Sequence, residues 1–486
     1  MASIFKLDTT GHIMLAPRLF LASTHLLQRF TCKISAAVEP AVLTDLEQAV
    51  IKPRKHPGVI RPNHIELPKQ LSDTLKRIVG DHPVRKVLRD SELLNRYIKS
   101  RHPPPTTLEI ENKKRLIVEE INAKMSLDRL ATLSPEEAAR WQRKRELEIN
   151  KRLDQRTYAW KRIEYGAYEA IVYAIGRAAQ EYAVMKRVLT ELQLRDERFK
   201  PRSYFDFGSG IGTGMWVASE LWRDSIFEYY NVDRSREMNE LSELILQQGQ
   251  ENKQVELRNV FYRQFLPAID TKYDLVVISH TLFEMADKQQ REEILLNLWR
   301  KCEGYMVIVE EGTRRGSELV NEARRFLLHA GDEHAGQTLA PCPHDLRCPR
   351  LNDLADRTPC NFEISYVPLR LTSESSGDRK SSVYSYAILK KGIVEDASRT
   401  WPRIVRPTLV RSKHSICRLC TEGGNLQEVI FTASKHGKAA YSCARVSRWG
   451  DRLPISLGTP QIKPKKLPSE PETDSKPKST EPTELA

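Results

Sequence analysis

The stretch Tyr204-Phe205-Asp206-Phe207-Gly208-Ser209-Gly210-Ile211-Gly212-Thr213-Gly214 joins a short apolar run to an amphipathic one, with glycine at every second position. Glycine lets backbone turn tightly and approach a ligand with no Cβ in the way, so the stretch predicts a strand, a ligand-facing loop and a helix from Gly212 to Trp222. A dinucleotide loop, G-x-G-x-x-G, is excluded. Its third glycine would fall on Thr213 if it began at Gly208, and on Met215 if it began at Gly210. A P-loop is excluded as well, because no Lys-Ser or Lys-Thr follows.

Outward from this loop, β-branched and aromatic runs alternate with amphipathic ones. Strands are predicted over 227–233, 255–261, 273–279 and 305–310, and helices near 238–248, 294–299 and 317–329. That alternation predicts an α/β, doubly wound parallel sheet. Two more strands, 362–369 and 383–389, follow without a helix between them and predict a hairpin at the sheet edge. Upstream, Tyr168, Ile171, Val172, Ile175, Tyr182, Met185 and Leu189 recur at helical spacing and predict one long, largely buried helix.

An acid two residues before the glycines (Asp206), glycines at alternate positions and a second acid ending the next strand (Asp233) resemble class I S-adenosylmethionine (SAM)-dependent methyltransferases. The resemblance implies a Rossmann-like fold whose loop, with Gly208, Gly210 and Gly212, approaches the methionine moiety while Asp233 takes the ribose hydroxyls. Where amine methyltransferases carry Asp/Asn-Pro-Pro-Tyr, this chain has Ser279-His280-Thr281-Leu282, and no cysteine nucleophile stands nearby. His280 has the chemistry of a general base, and is read here as a hydrogen-bonded structural histidine. Binding without turnover is the preferred reading.

Eight cysteines are too few for a disulfide scaffold, and five fall between 342 and 420. Pro341-Cys342-Pro343-His344-Asp345-Leu346-Arg347-Cys348-Pro349 is followed by Cys360 and by Cys417-Arg418-Leu419-Cys420. Zinc ribbons pair C-x-x-C knuckles, whereas single cysteines on separate loops suit an iron–sulfur cluster; on spacing alone both stay open.

With the helix from Tyr168 through Arg177 to Tyr182, the Asp206 loop and Arg445-Val446-Ser447-Arg448-Trp449-Gly450-Asp451, the Cys-Pro-His-x3-Cys-Pro run resembles the mitochondrial methyltransferase-like family of ribosomal small-subunit assembly factors, over residues 155–455. The resemblance implies a mitochondrial matrix protein, needed for mitochondrial translation, with a [4Fe-4S] cluster on Cys342, Cys348, Cys360 and Cys420. Cys417 is the alternative fourth ligand, and the gap before Cys360 is longer than in some relatives. It further implies a SAM pocket of Asp206, Gly208, Gly210, Gly212 and Asp233 without catalysis. The implied partners are small-subunit rRNA and ribosomal proteins, met as a monomer. The alternative is an active rRNA methyltransferase with structural zinc.

The 486 residues divide on composition into a presequence-like start at 1–38, where Asp8 is the one acid, and a helical region at 39–155. The methyltransferase-like domain at 156–395 carries a cysteine-rich insertion at 331–360. A basic, strand-rich extension follows at 396–455, and a proline-rich tail at 456–486 that is expected to be disordered. No apolar run is long enough to span a membrane, so no membrane insertion is expected. A net charge of +13 favours a polyanionic partner. Two segments suit RNA: Arg140–Arg162, with nine basic residues among three aromatics, and the extension through Arg403, Arg406, Arg411, Lys413, Arg445 and Arg448.

Overall fold

The computed structural model describes residues 35–458, apart from 63, 64, 81, 124–133, 159, 252, 254, 256, 331–335, 353–355 and 372–378. Ahead of the glycine loop the chain is helical. Strand β1 (Ala36–Val38) is followed by α1 (Pro40–Glu47), α2 (Lys69–Val79), α3 (Val84–Ser100), α4 (Thr107–Asn122) and α5 (Pro135–Arg156). Capping boxes, Thr106 with Glu109 and Ser134 with Glu137, start α4 and α5 by satisfying amides that the helix leaves free. These two helices bury only Ile117 and Ile149, so the basic run beginning at Arg140 lies on a largely solvated pair. By contrast α2 and α3 bury Leu71, Leu75, Val79 and Val87 against the long helix α6 (Ala167–Arg195).

The sheet follows, with its strands β2 (Ser203–Phe207), β3 (Glu228–Val232), β4 (Val260–Arg263), β5 (Tyr273–Ser279), β6 (Cys302–Glu311), β7 (Gly336–Ala340), β8 (Phe362–Tyr366) and β9 (Lys380–Lys391). Helices α7 (Thr213–Trp222), α8 (Arg236–Leu246), α9 (Lys288–Lys301) and α10 (Arg314–His329) connect them. The order is β4-β3-β2-β5-β6-β9-β7, with β8 also on β9. Neighbours from β4 to β6 run parallel, and β9 is antiparallel to β6, β7 and β8. Covered on both faces, β5 and β6 read as nearly unbroken apolar runs. This is the class I methyltransferase-like sheet the sequence predicts.

Three details differ from expectation. The hairpin partner β9 lies inside the sheet, because β7, a polar stretch within the insertion, adds beyond it; β7 takes one end of the twelve-residue strand and β8 the other. The strand expected at 255–261 is β4, at 260–263, since Asn259 has φ 55° and interrupts extended backbone. The extension is not only strands. Around β12 (Ser415–Cys420) gather β10 (Arg403–Ile404), β11 (Leu409–Val410) and β13 (Leu426–Phe431), followed by α11 (Ala433–Val446). Strand β14 (Ile455–Leu457) then pairs with β1, so this pair reaches into both the leader-like and tail-like segments, whose remaining residues lie outside those described.

Not all of the extension's arginines are surface groups. Arg411, Lys413, Arg445 and Arg448 are exposed, but Arg403 is 1% exposed and pairs with Glu191 of α6, which is 0% exposed. Arg187 (2.8 Å) and Arg195 (3.6 Å) share that carboxylate, and the Tyr386 hydroxyl donates to it at 2.7 Å. Burial alone would push the Glu191 carboxyl up; the Arg403, Arg187 and Arg195 charges hold it well below the usual range. Removing one partner of such a group leaves uncompensated buried charge. Glu191→Gln is therefore expected to cost about 3–5 kcal/mol of stability in urea unfolding, and adding Arg403→Met should recover part of that loss.

Candidate cofactor and metal site

The glycine loop leaves β2 at the carboxyl end of the sheet, where open α/β sheets bind ligands. Gly208 has φ +75°, and a Cβ there would lie 2.0 Å from Thr281 Oγ1, so only glycine fits. Gly210 has φ +53°, and a Cβ there would meet a Tyr173 ring carbon at 3.9 Å, an ordinary contact, so its positive φ rather than crowding is what favours glycine. Gly212 caps the amino end of α7. Asp233, ending β3, accepts the Gly210 amide on Oδ2 and the Ser235 amide on Oδ1, both at 2.9 Å. Asp206 accepts the Tyr204 hydroxyl at 2.7 Å through Oδ2, and its buried Oδ1 has no partner. These residues fit a SAM-like ligand: an orphaned acceptor, spare carboxylate lone pairs and an approachable loop lie together.

At the neighbouring ends of β5 and β6 the protein fills its own cleft. Arg177 of α6, 1% exposed, pairs with Glu181 at 2.8 Å and with Glu311. His280, at φ 54°, is buried, and burial pulls its imidazole below the ordinary value. Its Nδ1 lies 3.6 Å from Glu311 Oε1 and makes no hydrogen bond among the described residues, so this nitrogen is not bonded as expected. Arg101 pairs with Glu284 across the mouth, where Trp160 Nε1 donates to the Phe283 carbonyl and Arg162 Nε to that of Glu284. What remains among Tyr165, Tyr173, Arg177 and His280 is a cavity of ≈ 20 Å³, about the room one water needs.

The cysteines gather at the junction of core and extension. Cys342 and Cys348 lie on the loop after β7, Cys360 lies before β8, and Cys420 ends β12; each of the four is in electrostatic range of the other three. A hydrogen bond between Cys348 and Cys360 lowers the first thiol to about 6 and raises the second. Burial pushes Cys342 and Cys420 up. Cys417, three residues earlier on β12, points to the opposite face, with its Sγ 3.8 Å from the Ala444 carbonyl. Among the described residues no group of three or more Cys, His, Asp or Glu is drawn together as a metal-ion site. Arg324 and Arg350 place positive charge beside the thiols, and His344 Nε2 lies 3.4 Å from Cys420 Sγ. The donor set, three buried thiols and the half-buried Cys360 among arginines, fits an anionic thiolate cluster.

The sequence reading did not single out the roles of Arg177, Glu311, Arg324 and His344. One signal for Arg177 was present, a charge within an otherwise apolar helical face. Its pair with Glu181 is one helical turn away, but the pair with Glu311 is nonlocal and left no signal.

Two acids here carry a pH signature. Burial raises Asp206 to about 7 and Glu310 to about 8. Between their unfolded values near 4 and these values the folded chain holds more protons than the unfolded one, so both groups make stability fall as pH rises. Glu310→Gln removes one of them. Relative to wild type, the variant should gain on the order of 1–3 kcal/mol in unfolding free energy between pH 5 and pH 8, read from urea midpoints at each pH.

Comparison with known proteins places this geometry. A protein-family model described as mitochondrial small ribosomal subunit Rsm22 matches residues 167–454. The human mitochondrial ribosome assembly protein METTL17 is 34% identical over 408 residues, 83% of this chain and 86% of its own length. The mitochondrial ribosome assembly protein RSM22 of Saccharomyces cerevisiae is 22% identical, covering 58% of this chain and 66% of its own. Among solved structures, magnesium protoporphyrin IX methyltransferase from Synechocystis, with bound SAM, is 11% identical with a TM-score of 0.27, covering 49% of this chain and 89% of its own. No helix among the described residues is long and apolar enough to cross a membrane. On the extent of the family match and the identity to METTL17, the chain belongs to the mitochondrial small ribosomal subunit Rsm22 family of ribosome assembly proteins.

Proposed function

We propose that this protein is a mitochondrial matrix factor that binds small-subunit rRNA and ribosomal proteins as a monomer during assembly, and so serves mitochondrial translation. In this reading it holds a [4Fe-4S] cluster on Cys342, Cys348, Cys360 and Cys420, and SAM at Asp206, Gly208, Gly210, Gly212 and Asp233, without transferring the methyl group. The observation that carries the reading is the meeting of four thiols from core and extension, in a protein whose cleft at β5 and β6 is filled by its own ion pairs. A single zinc would draw four thiolates to within about 3.8 Å of one another, whereas a cubane binds each at a separate corner. The spread of the four cysteines over separate loops and one strand, rather than paired knuckles, supports the larger group.

The cluster, when bound, supplies four iron–thiolate bonds that tie the extension to the core, and metal-binding energy becomes folding energy for that junction. Its loss would release the exposed Arg411, Lys413, Arg445 and Arg448 from fixed positions. Phosphate contacts need positioned charge, so binding to RNA would suffer first. At the other site Gly210 offers backbone to the methionine end of SAM, and Asp233 accepts from the ribose. Arg177, Glu181 and Glu311 occupy the volume a methyl acceptor would need.

Protein purified without oxygen is expected to be brown, with about four irons and four sulfides per chain. Stoichiometric zinc without iron or sulfide would sink the cluster reading and leave the alternative, an rRNA methyltransferase with structural zinc, to be decided by its activity. In calorimetry SAM should bind, and Asp233→Ala should weaken it by about 1–3 kcal/mol. Cys348→Ser should reduce binding to small-subunit assembly intermediates while leaving SAM binding intact. Methylation of rRNA that is lost in a folded His280→Ala variant would overturn the non-catalytic reading.

A further inference from the structure

One polar side chain beside the thiols is not among the proposed ligands. His344, between Cys342 and Cys348, is 4% exposed, and its Nε2 stands 3.4 Å from the sulfur of Cys420, within hydrogen-bond range for sulfur. Its backbone is fixed from a separate helix. The Arg324 guanidinium, 2% exposed, donates to the carbonyls of His344 and, at 3.0 Å, of Leu346, while its Nε holds Thr338 Oγ1 at 3.0 Å. Asp345, the next residue, accepts the Thr338 amide at 2.8 Å and pairs with Arg399. The loop carrying His344 is thus held on both sides of the imidazole, and the ring has little freedom to leave Cys420.

A thiolate bound to iron can only accept a hydrogen bond, so a bond between these atoms places the proton on Nε2 and makes His344 the donor. Hydrogen bonds to the sulfurs of a cluster stabilise its more negative, reduced state and raise its potential, more strongly where water is excluded. We infer that His344 is a positioning residue that donates a hydrogen bond to the Cys420 sulfur and thereby raises the reduction potential of the cluster proposed above. The inference rests on that cluster reading. Arg324 supports it by anchoring the loop.

The test is a dithionite titration of the full-length protein with redox mediators, followed by electron paramagnetic resonance of the one-electron-reduced cluster. Dithionite supplies the electron, and iron in the cluster takes it. His344→Phe should keep its iron and sulfide but become harder to reduce, with the reduced-to-oxidised ratio at a fixed potential falling about tenfold, ~59 mV for one electron. His344→Gln, which returns an N–H at similar reach, should restore most of the shift. His344→Asn, polar but too short to reach the sulfur, should behave like the phenylalanine variant and serves if that variant is insoluble. Full cluster content with an unchanged potential in both His344→Phe and His344→Asn would overturn the inference. So would loss of the cluster in His344→Phe with retention in Cys420→Ser, which would make His344 a ligand itself. Absence of iron and sulfide from anaerobically purified wild type would instead remove the cluster reading on which the inference stands.

Discussion

A carboxylate with no access to water decides how this protein is put together. Glu191 lies near the carboxyl end of the long helix α6, and moving its charge out of water is costly unless it is fully paired. Two of its arginines, Arg187 and Arg195, sit one turn away on the same helix. The third comes from the extension. Arg403 also donates to the Pro341 carbonyl at 2.9 Å, beside Cys342, and lies directly across the β10–β12 pair from Cys420. The need to neutralise one buried charge therefore aligns two cysteines that the chain separates widely. A slip of one residue between β10 and β12 would turn Cys420 to the face that Cys417 now occupies.

Charge is also what closes the cleft at β5 and β6. An apolar plug would be indifferent to a ligand, but Arg177 between Glu181 and Glu311 is a satisfied group whose partners would each be exposed by any intruder. Opening the cleft means breaking the Arg101–Glu284 pair at its mouth as well. The end of the sheet at β5 and β6 has thus spent its volume on internal ion pairs.

The glycine loop, the alternating elements and the long helix were legible because each depends on residues close together in sequence. Gly208 needs its positive φ whatever else the chain does, and the stripe from Tyr168 to Leu189 is local periodicity. Strand β7 was not legible, since Gly336-Gln337-Thr338 has the composition of a loop and becomes a strand only because β9 offers an edge. Nor was the burial of Arg403, which in sequence is one more basic residue in a basic segment. The choice between Cys417 and Cys420 turns on strand alternation in β12, invisible until the strand itself is known. Long-range pairing, of strands for β7 and of charge for Arg403, is what composition and spacing did not reveal.

The pairing of β1 with β14 ties residues 36–38 to residues 455–457. Chains emerge amino end first, so Glu191 is made 212 residues before Arg403, and β1 earlier still relative to β14. Until then Glu191 can be neutralised by its own helix, and β1 has an open edge. Both are completed only once residues 403 and 455–457 have been made. The body thereby measures its own length: a chain halted before Ile455 could build the central sheet and even assemble its thiols, yet would keep a bare strand edge of the kind that quality-control proteins and aggregation both recognise.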